Sequence, residues 1–312
     1  MNQKTSPSLT HSRWLTPLSL IIITFITYFP TRHFPFHFDD LGNITQKFNI
    51  RTFNVWQRML TSRRWFGDWL NALIFQFDGF APQYYRLSNI AIHLISGGLV
   101  FYLTSWLCKR AKPDTILSRQ RHAIAGITTA LFLLHPVQTQ TISYAIQGKL
   151  EGAVSLLILA SLVSMLAALT AQSLFARLIG LASGLFFALI GCGTKEIVIV
   201  APALHILIDW FFIAKQEWRH FAQRWGWHLV YGSIITLVMV YYFKPSFFLN
   251  VFKLNTALAN NRGNQLTSTA GSSITPLAFL ISQFKALLHY SYMFIWPFNI
   301  SAEYDWKLST SL

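Results

Sequence analysis

The chain has 312 residues, of which 53% are hydrophobic and only 12% charged, with 25 Lys and Arg against 11 Asp and Glu. Apolar runs near the ~20 residues that cross a bilayer place it among multi-span membrane proteins rather than soluble domains. The formal charge of +14 is read as loop Lys and Arg facing anionic lipid, not as a nucleic-acid surface, since no basic repeat or zinc-ligand spacing accompanies it.

In chain order, Leu15 to Tyr28 follows Lys4 and Arg13 and precedes Pro30-Thr31-Arg32-His33 without a small-residue cleavage site. It reads as an uncleaved signal anchor within a span near 15–31. Phe38-Asp39-Asp40-Leu41-Gly42 comes next. Adjacent carboxylates repel, and a carboxylate poised near neutral pH can take a proton from an attacking hydroxyl. An ordinary loop entry or helix cap is the plainer alternative. The first loop, about 32–85, carries two segments of amphipathic pattern, Asn54 to Leu60 and Phe66 to Phe77. Trp56, Trp65, Trp69, Phe75 and Phe77 are expected to anchor them on the membrane.

Further spans are expected near 86–107, 123–141, 150–171, 177–194, 196–214 and 228–243. The stretch 276–296 is interrupted by Gln283, Lys285 and His289, and is either an eighth span or an interfacial helix. Arg63, Arg64, Arg86, Lys149 and Lys195 fall at predicted membrane edges. Arg forks and Lys point charges suit a phosphate, and snorkelling to headgroups is the alternative. Lys195-Glu196 is a charged pair between two apolar spans. Asn89 and His93 share a helix face, where an inter-helix hydrogen bond outweighs catalysis. His135-Pro136 ends the third span, and Gln138, Thr139, Gln140, Gln147 and Lys149 after it read either as a cavity wall or as a capped helix end. Glu303-Tyr304-Asp305-Trp306 offers carboxylates beside aromatic faces, suited to a sugar or to a terminal interfacial anchor.

Positive charge orients the chain. Lys109, Arg110, Lys112, Arg119 and Arg121 mark one cytoplasmic loop, and Lys215, Arg219 and Arg224 another. The loops at 32–85, 135–149 and 244–275 then face outward. Asp39, Asp40, Asp68, Asp78, Glu151, Glu196, Glu303 and Asp305 collect on or near that outer surface, where chemistry is expected. A Ser/His/Asp triad, a Walker loop and a dinucleotide glycine pattern are missing from the sequence. Cys108 and Cys192 give neither a disulfide framework nor a metal spacing. Asp39 or Asp40 with His37 could ligate a divalent metal, but the ligand types are unspecific, so no cofactor is expected.

Read in order, several segments resemble one family. They are Phe38-Asp39-Asp40 after the first span, Arg63-Arg64 before a short helix, and Arg86 through Asn89 to His93. Leu131 to Gln140 with His135-Pro136 follows, then Thr194-Lys195-Glu196, Leu207 to Trp210, and Trp296-Pro297 to Trp306. The family is the bacterial membrane proteins, often carrying tetratricopeptide repeats, that are similar to the transmembrane O-mannosyltransferases acting on cadherins. Both are GT-C glycosyltransferases. The resemblance implies an all-α, polytopic, GT-C-like fold of about seven or eight transmembrane helices in a single domain over 1–312. It implies a sugar moved from a polyprenyl-phosphate carrier to a protein Ser or Thr or a surface glycan, at the outer face of the bacterial inner membrane. Asp39 or Asp40 would be the base. Arg63, Arg64, Arg86 and Lys195 would meet the donor phosphate, with Asn89, His93, His135, Gln140, Lys149, Glu196, Glu303 and Asp305 lining or supporting the cavity.

The chain departs from the pattern where Gln140 replaces a usual Glu and Gly148 a frequent Arg, and where it stops at Leu312. The last departure leaves room for a partner subunit supplying the rest. The competing expectation is a non-catalytic membrane subunit, or a lipid-carrier transporter, on a degenerate transferase scaffold. A transporter would show paired repeats with broken helices, and no such repeat is visible.

Overall fold

In hydrocarbon every backbone N–H and C=O must be satisfied within its own segment, so apolar runs become helices. The computed structural model describes residues 12–52, 54–252, 276–298, 300–301 and 304, and among these all regular structure is helical. The main helices are α1 (Ser12–Tyr28), α2 (Val55–Thr61), α3 (Trp65–Asp78), α4 (Pro82–Arg110), α5 (Arg121–Leu134), α6 (Gly148–Thr170), α7 (Leu174–Cys192), α8 (Glu196–Ile213), α9 (Trp225–Phe252) and α10 (Pro276–Ile295). Four of them, α4, α6, α7 and α8, are long and apolar enough to cross a membrane.

The third expected span is shorter than its apolar run. Helix α5 has 14 residues and rises only ~21 Å, against ~30 Å of hydrocarbon. Pro136 disfavours the helical region for the residue before it. His135 accordingly turns extended, at φ −65° and ψ 129°, and its Nδ1 caps the break by accepting from the Val137 N–H at 3.2 Å.

The chain divides into two compact units, Met1–Met239 and Val240–Leu312. In the first, α6 and α7 pair as a hairpin, and the buried Ser161 hydroxyl donates to the Gly184 carbonyl at 2.7 Å. The same hydroxyl lies 2.9 Å from Tyr231 Oη on α9 and 3.3 Å from His205 Nε2 on α8. Helix α4 packs on α5, where His93 Nε2 donates to the Leu133 carbonyl at 3.0 Å. In the second unit, the Tyr304 hydroxyl donates to Met293 Sδ at 3.0 Å, and its ring stands edge-on to His289.

The segment between α1 and α4 folds on its own polar core. The Asp68 carboxylate accepts from Lys47 Nζ at 2.6 Å and from the Ser62 hydroxyl at 2.9 Å. Asn54 caps α2 by accepting from the Gln57 N–H at 3.1 Å. Both amphipathic helices form where expected, but their aromatics divide. Trp56 and Phe77 are exposed, whereas Trp65, expected as a membrane anchor, is buried. Its ring fills the space over Gly193, where a Cβ would lie 1.9 Å from Trp65 Nε1.

Near the end of α8, Asp209 is fully buried and takes a forked pair of bonds from Arg224, at 2.6 and 2.9 Å, and one from His228 Nε2 at 2.8 Å. Removing one member of a buried charge cluster strands the others without compensation. Asp209→Ala is therefore expected to destabilise the protein by roughly 3–5 kcal/mol. A thermal unfolding series on purified protein checks this, and an unchanged transition would show that the cluster contributes nothing.

Candidate functional site

Four segments meet at the candidate site: the turn carrying Asp39 and Asp40, the start of α3, the turn at 143–152, and the turn from α7 into α8. The start of α3 is tied to the last by the Phe66 N–H, which donates to the Gly193 carbonyl at 2.8 Å.

The two adjacent aspartates have opposite surroundings. Asp40 is fully buried. Its carboxylate accepts from the Ile146 N–H at 2.9 Å and the Ala145 N–H at 3.3 Å, with Arg86 Nη2 at 3.7 Å. Asp39 is exposed and faces the charged rim described below. A fully buried carboxylate held by backbone N–H groups and a nearby guanidinium has no surface open to an incoming hydroxyl.

Arg86, expected at the donor phosphate, lies enclosed behind the rim. Its side chain is fully enclosed, with Nε donating to the Ser143 carbonyl at 2.9 Å and Nη2 to the Pro35 carbonyl at 2.8 Å. It ties the start of α4 to both neighbouring turns and presents no face to a ligand. Lys149 is likewise enclosed, donating to Asn89 Oδ1 at 2.6 Å and to the Tyr85 carbonyl. Asn89 in turn donates from Nδ2 to the Ile142 and Tyr144 carbonyls, at 3.0 and 2.7 Å. Gly148 is required at this crossing, because a Cβ there would stand 2.0 Å from Asn89 Cγ. No side chain has room at residue 148 in this packing.

The rim is a charged cluster. Lys195 Nζ pairs with Glu151, and Arg64 Nη2 lies 3.8 Å from Glu196 Oε1. Lys195 also lies within electrostatic reach of Arg64, Glu196 and Asp39. Burial, with the Arg64 guanidinium nearby, pushes the Lys195 ammonium below the usual lysine range, and Glu196 and Asp39 oppose that shift. Arg63 is exposed beside Arg64. Solvated pairs such as Arg64 with Glu196 are worth only ~0–1 kcal/mol, so an arriving phosphate can replace the carboxylate at little cost.

Beneath the rim lies a polar cavity of about 60 Å³, lined by Asn89, His93, Gln138 and Glu151 among others. That is well under the ~150 Å³ that admits a benzene ring, so the cavity suits water rather than a sugar. His135 and Gln140, expected on its wall, lie elsewhere: His135 caps α5, and Gln140 is exposed. Glu303 and Asp305 fall outside the described residues. Sequence reasoning had counted Glu151 only among the outer acids and missed it as the partner of Lys195, 44 positions away. No local signal marks that pairing. Among the described residues no group of His, Cys, Asp and Glu is arranged to hold a metal ion. Comparison with protein-family models, curated proteins and solved structures finds no match to this chain.

Because the Lys195 ammonium is pushed down, its acylation is expected to set in at lower pH than that of ordinary exposed lysines. Replacing Arg64 by Gln removes one lowering charge and should move the midpoint back up. Competitive labelling read by mass spectrometry across pH checks both signs, and a wild-type midpoint equal to that of surface lysines would contradict them.

Proposed function

We propose that this protein is a membrane glycosyltransferase that moves a sugar from a polyprenyl-phosphate carrier to an acceptor hydroxyl at the outer face of the bacterial inner membrane. The observation that carries this reading is the placement of an exposed carboxylate, Asp39, within reach of Lys195, itself beside Arg64. A base and two cations on one rim match a reaction in which a hydroxyl loses a proton while a phosphate gains charge. The order of sequence motifs supports the same class, and the apolar helices support a membrane setting. The remaining apolar stretches would complete a bundle of about seven or eight spans.

In the proposed reaction Asp39 takes the proton of the acceptor O–H. The acceptor oxygen attacks the anomeric carbon from the face opposite the carrier, and a new C–O bond forms with inversion. The bond from that carbon to the carrier phosphate breaks, and the phosphate leaves with the electron pair. Lys195, Arg64 and Arg63 stabilise its growing charge. A phosphate departs unprotonated near neutral pH, so one base suffices. Acceptors would be protein Ser or Thr or a surface glycan. Asp40 and Arg86 act behind this rim as positioning residues.

Asp39→Asn is expected to lower transfer by roughly 10²–10⁴-fold, the usual contribution of a positioned base, without loss of folded protein. Asp40→Asn is expected to lose folded protein instead, because Arg86 stays buried without its counter-charge. Glycan analysis of acceptors in cells carrying each variant, beside a thermal unfolding series, separates the two. Full transfer by a folded Asp39→Asn chain would remove Asp39 from the chemistry. An acceptor glycan profile identical in wild-type and deletion cells would remove the transferase reading itself.

A further inference from the structure

Phe38 is the residue that presents Asp39, and it is unusual in two respects. Its backbone is left-handed, at φ 48°, a region costly for a bulky non-glycine residue and kept only where surroundings over-determine it. Here they do, since Asp40 is pinned behind it and the Asp40 and Leu41 N–H groups donate to His37 and Phe38 carbonyls at 3.0 and 3.1 Å. The ring is also 57% exposed, beside Asp39 and between the exposed apolar side chains of Phe34 and Leu41 in the same segment. One side of it is backed by Tyr144, stacked at 6.2 Å and 29°, and the His37 ring stands edge-on to both. Tyr144 is itself buried. The pair is therefore held from one side, and more than half of the Phe38 side chain remains open.

We infer that this exposed ring is a stacking platform for a pyranose ring, a sugar subsite immediately beside Asp39. The inference rests on the glycosyl-transfer reading for the identity of the ligand and extends it to a binding residue. An aromatic face carries negative quadrupole charge, and the C–H face of a pyranose is polarised positive while its rim is all hydroxyl. A platform next to a carboxylate serves both surfaces of such a ring. The cavity below is too small to take it, which leaves the rim. The anomeric carbon must stand between Asp39 and the cations that receive the phosphate, and Phe38 is the neighbour of Asp39 in the chain.

The test uses the full chain in lipid nanodiscs, free of sugar-based detergent, with methyl glycosides of glucose, mannose, galactose and N-acetylglucosamine as probes. Saturation-transfer NMR on the wild-type chain should mark the C–H protons of one ring face of at least one glycoside. The signal should persist in Phe38→Tyr and fall by roughly two- to ten-fold in Phe38→Leu, which keeps apolar bulk but no π face. Phe38→Gly, at home at this backbone angle, should fold and lose the signal as well. No signal from any glycoside with the wild-type chain, or equal signals from wild type and Phe38→Leu, would overturn the platform. Binding is read without turnover. A chain that binds glycosides through Phe38 but alters no acceptor glycan would sink the transferase reading alone, and a chain that transfers sugar with Phe38→Leu unaffected would sink the platform alone.

Discussion

The fold of the candidate site depends on one buried carboxylate. Asp40 joins the turn after α1 to the turn before α6 by accepting two backbone N–H bonds from residues more than a hundred positions away. Arg86 closes the third side from the start of α4, with Nε donating to the Ser143 carbonyl and Nη2 to the Pro35 carbonyl. Taking these charges out of water costs several kcal/mol per ion, which their mutual attraction and hydrogen bonds must offset. Such a knot is poor at adding stability and good at fixing one geometry, and the geometry it fixes here is that of the residue beside it.

Around the knot, close backbone approach does the remaining work. Asn89 can sit against the opening turn of α6 because residue 148 has no side chain, and Lys149 then reaches Asn89 and Tyr85 from the same turn. On the opposite side Trp65 lies over Gly193, and the first turn of α3 hangs from the Gly193 carbonyl. These two glycines bring Arg64, Glu151 and Lys195 to one rim although they come from separate elements. Helices in lipid gain little from burying apolar surface against each other, so small residues and polar bonds carry this kind of positioning.

Much of the helical scaffold was legible in the sequence. Apolar runs near membrane length marked α4, α6, α7 and α8, and the His135-Pro136 pair marked where α5 stops, although the run continues. The amphipathic pattern after residue 54 marked α2 and α3. What could not be read was which polar residues face one another. Arg64 and Arg86 have similar sequence surroundings, each at a predicted membrane edge, yet one is exposed at the rim and the other enclosed. Trp65 and Trp56 both looked like anchors, and only the glycine at 193 decides that Trp65 turns inward. Glu151 paired with Lys195 is a long-range fact with no local periodicity behind it.

The acid pair shows why adjacency in sequence misleads. Two carboxylates side by side suggest a shared role, with repulsion tuning one against the other. In the folded chain they do not share an environment. Consecutive residues at the start of a helical segment point different ways, and the left-handed Phe38 turns the backbone just before the pair. Asp40 is driven inward, where two N–H groups and the Arg86 guanidinium hold its buried carboxylate. Asp39 is left outward, beside the rim cations. Ionic neutralisation behind leaves an open carboxylate in front that is positioned without being trapped. The pair is therefore best understood as one exposed carboxylate and its mount, and a change at either position acts through a different physical route.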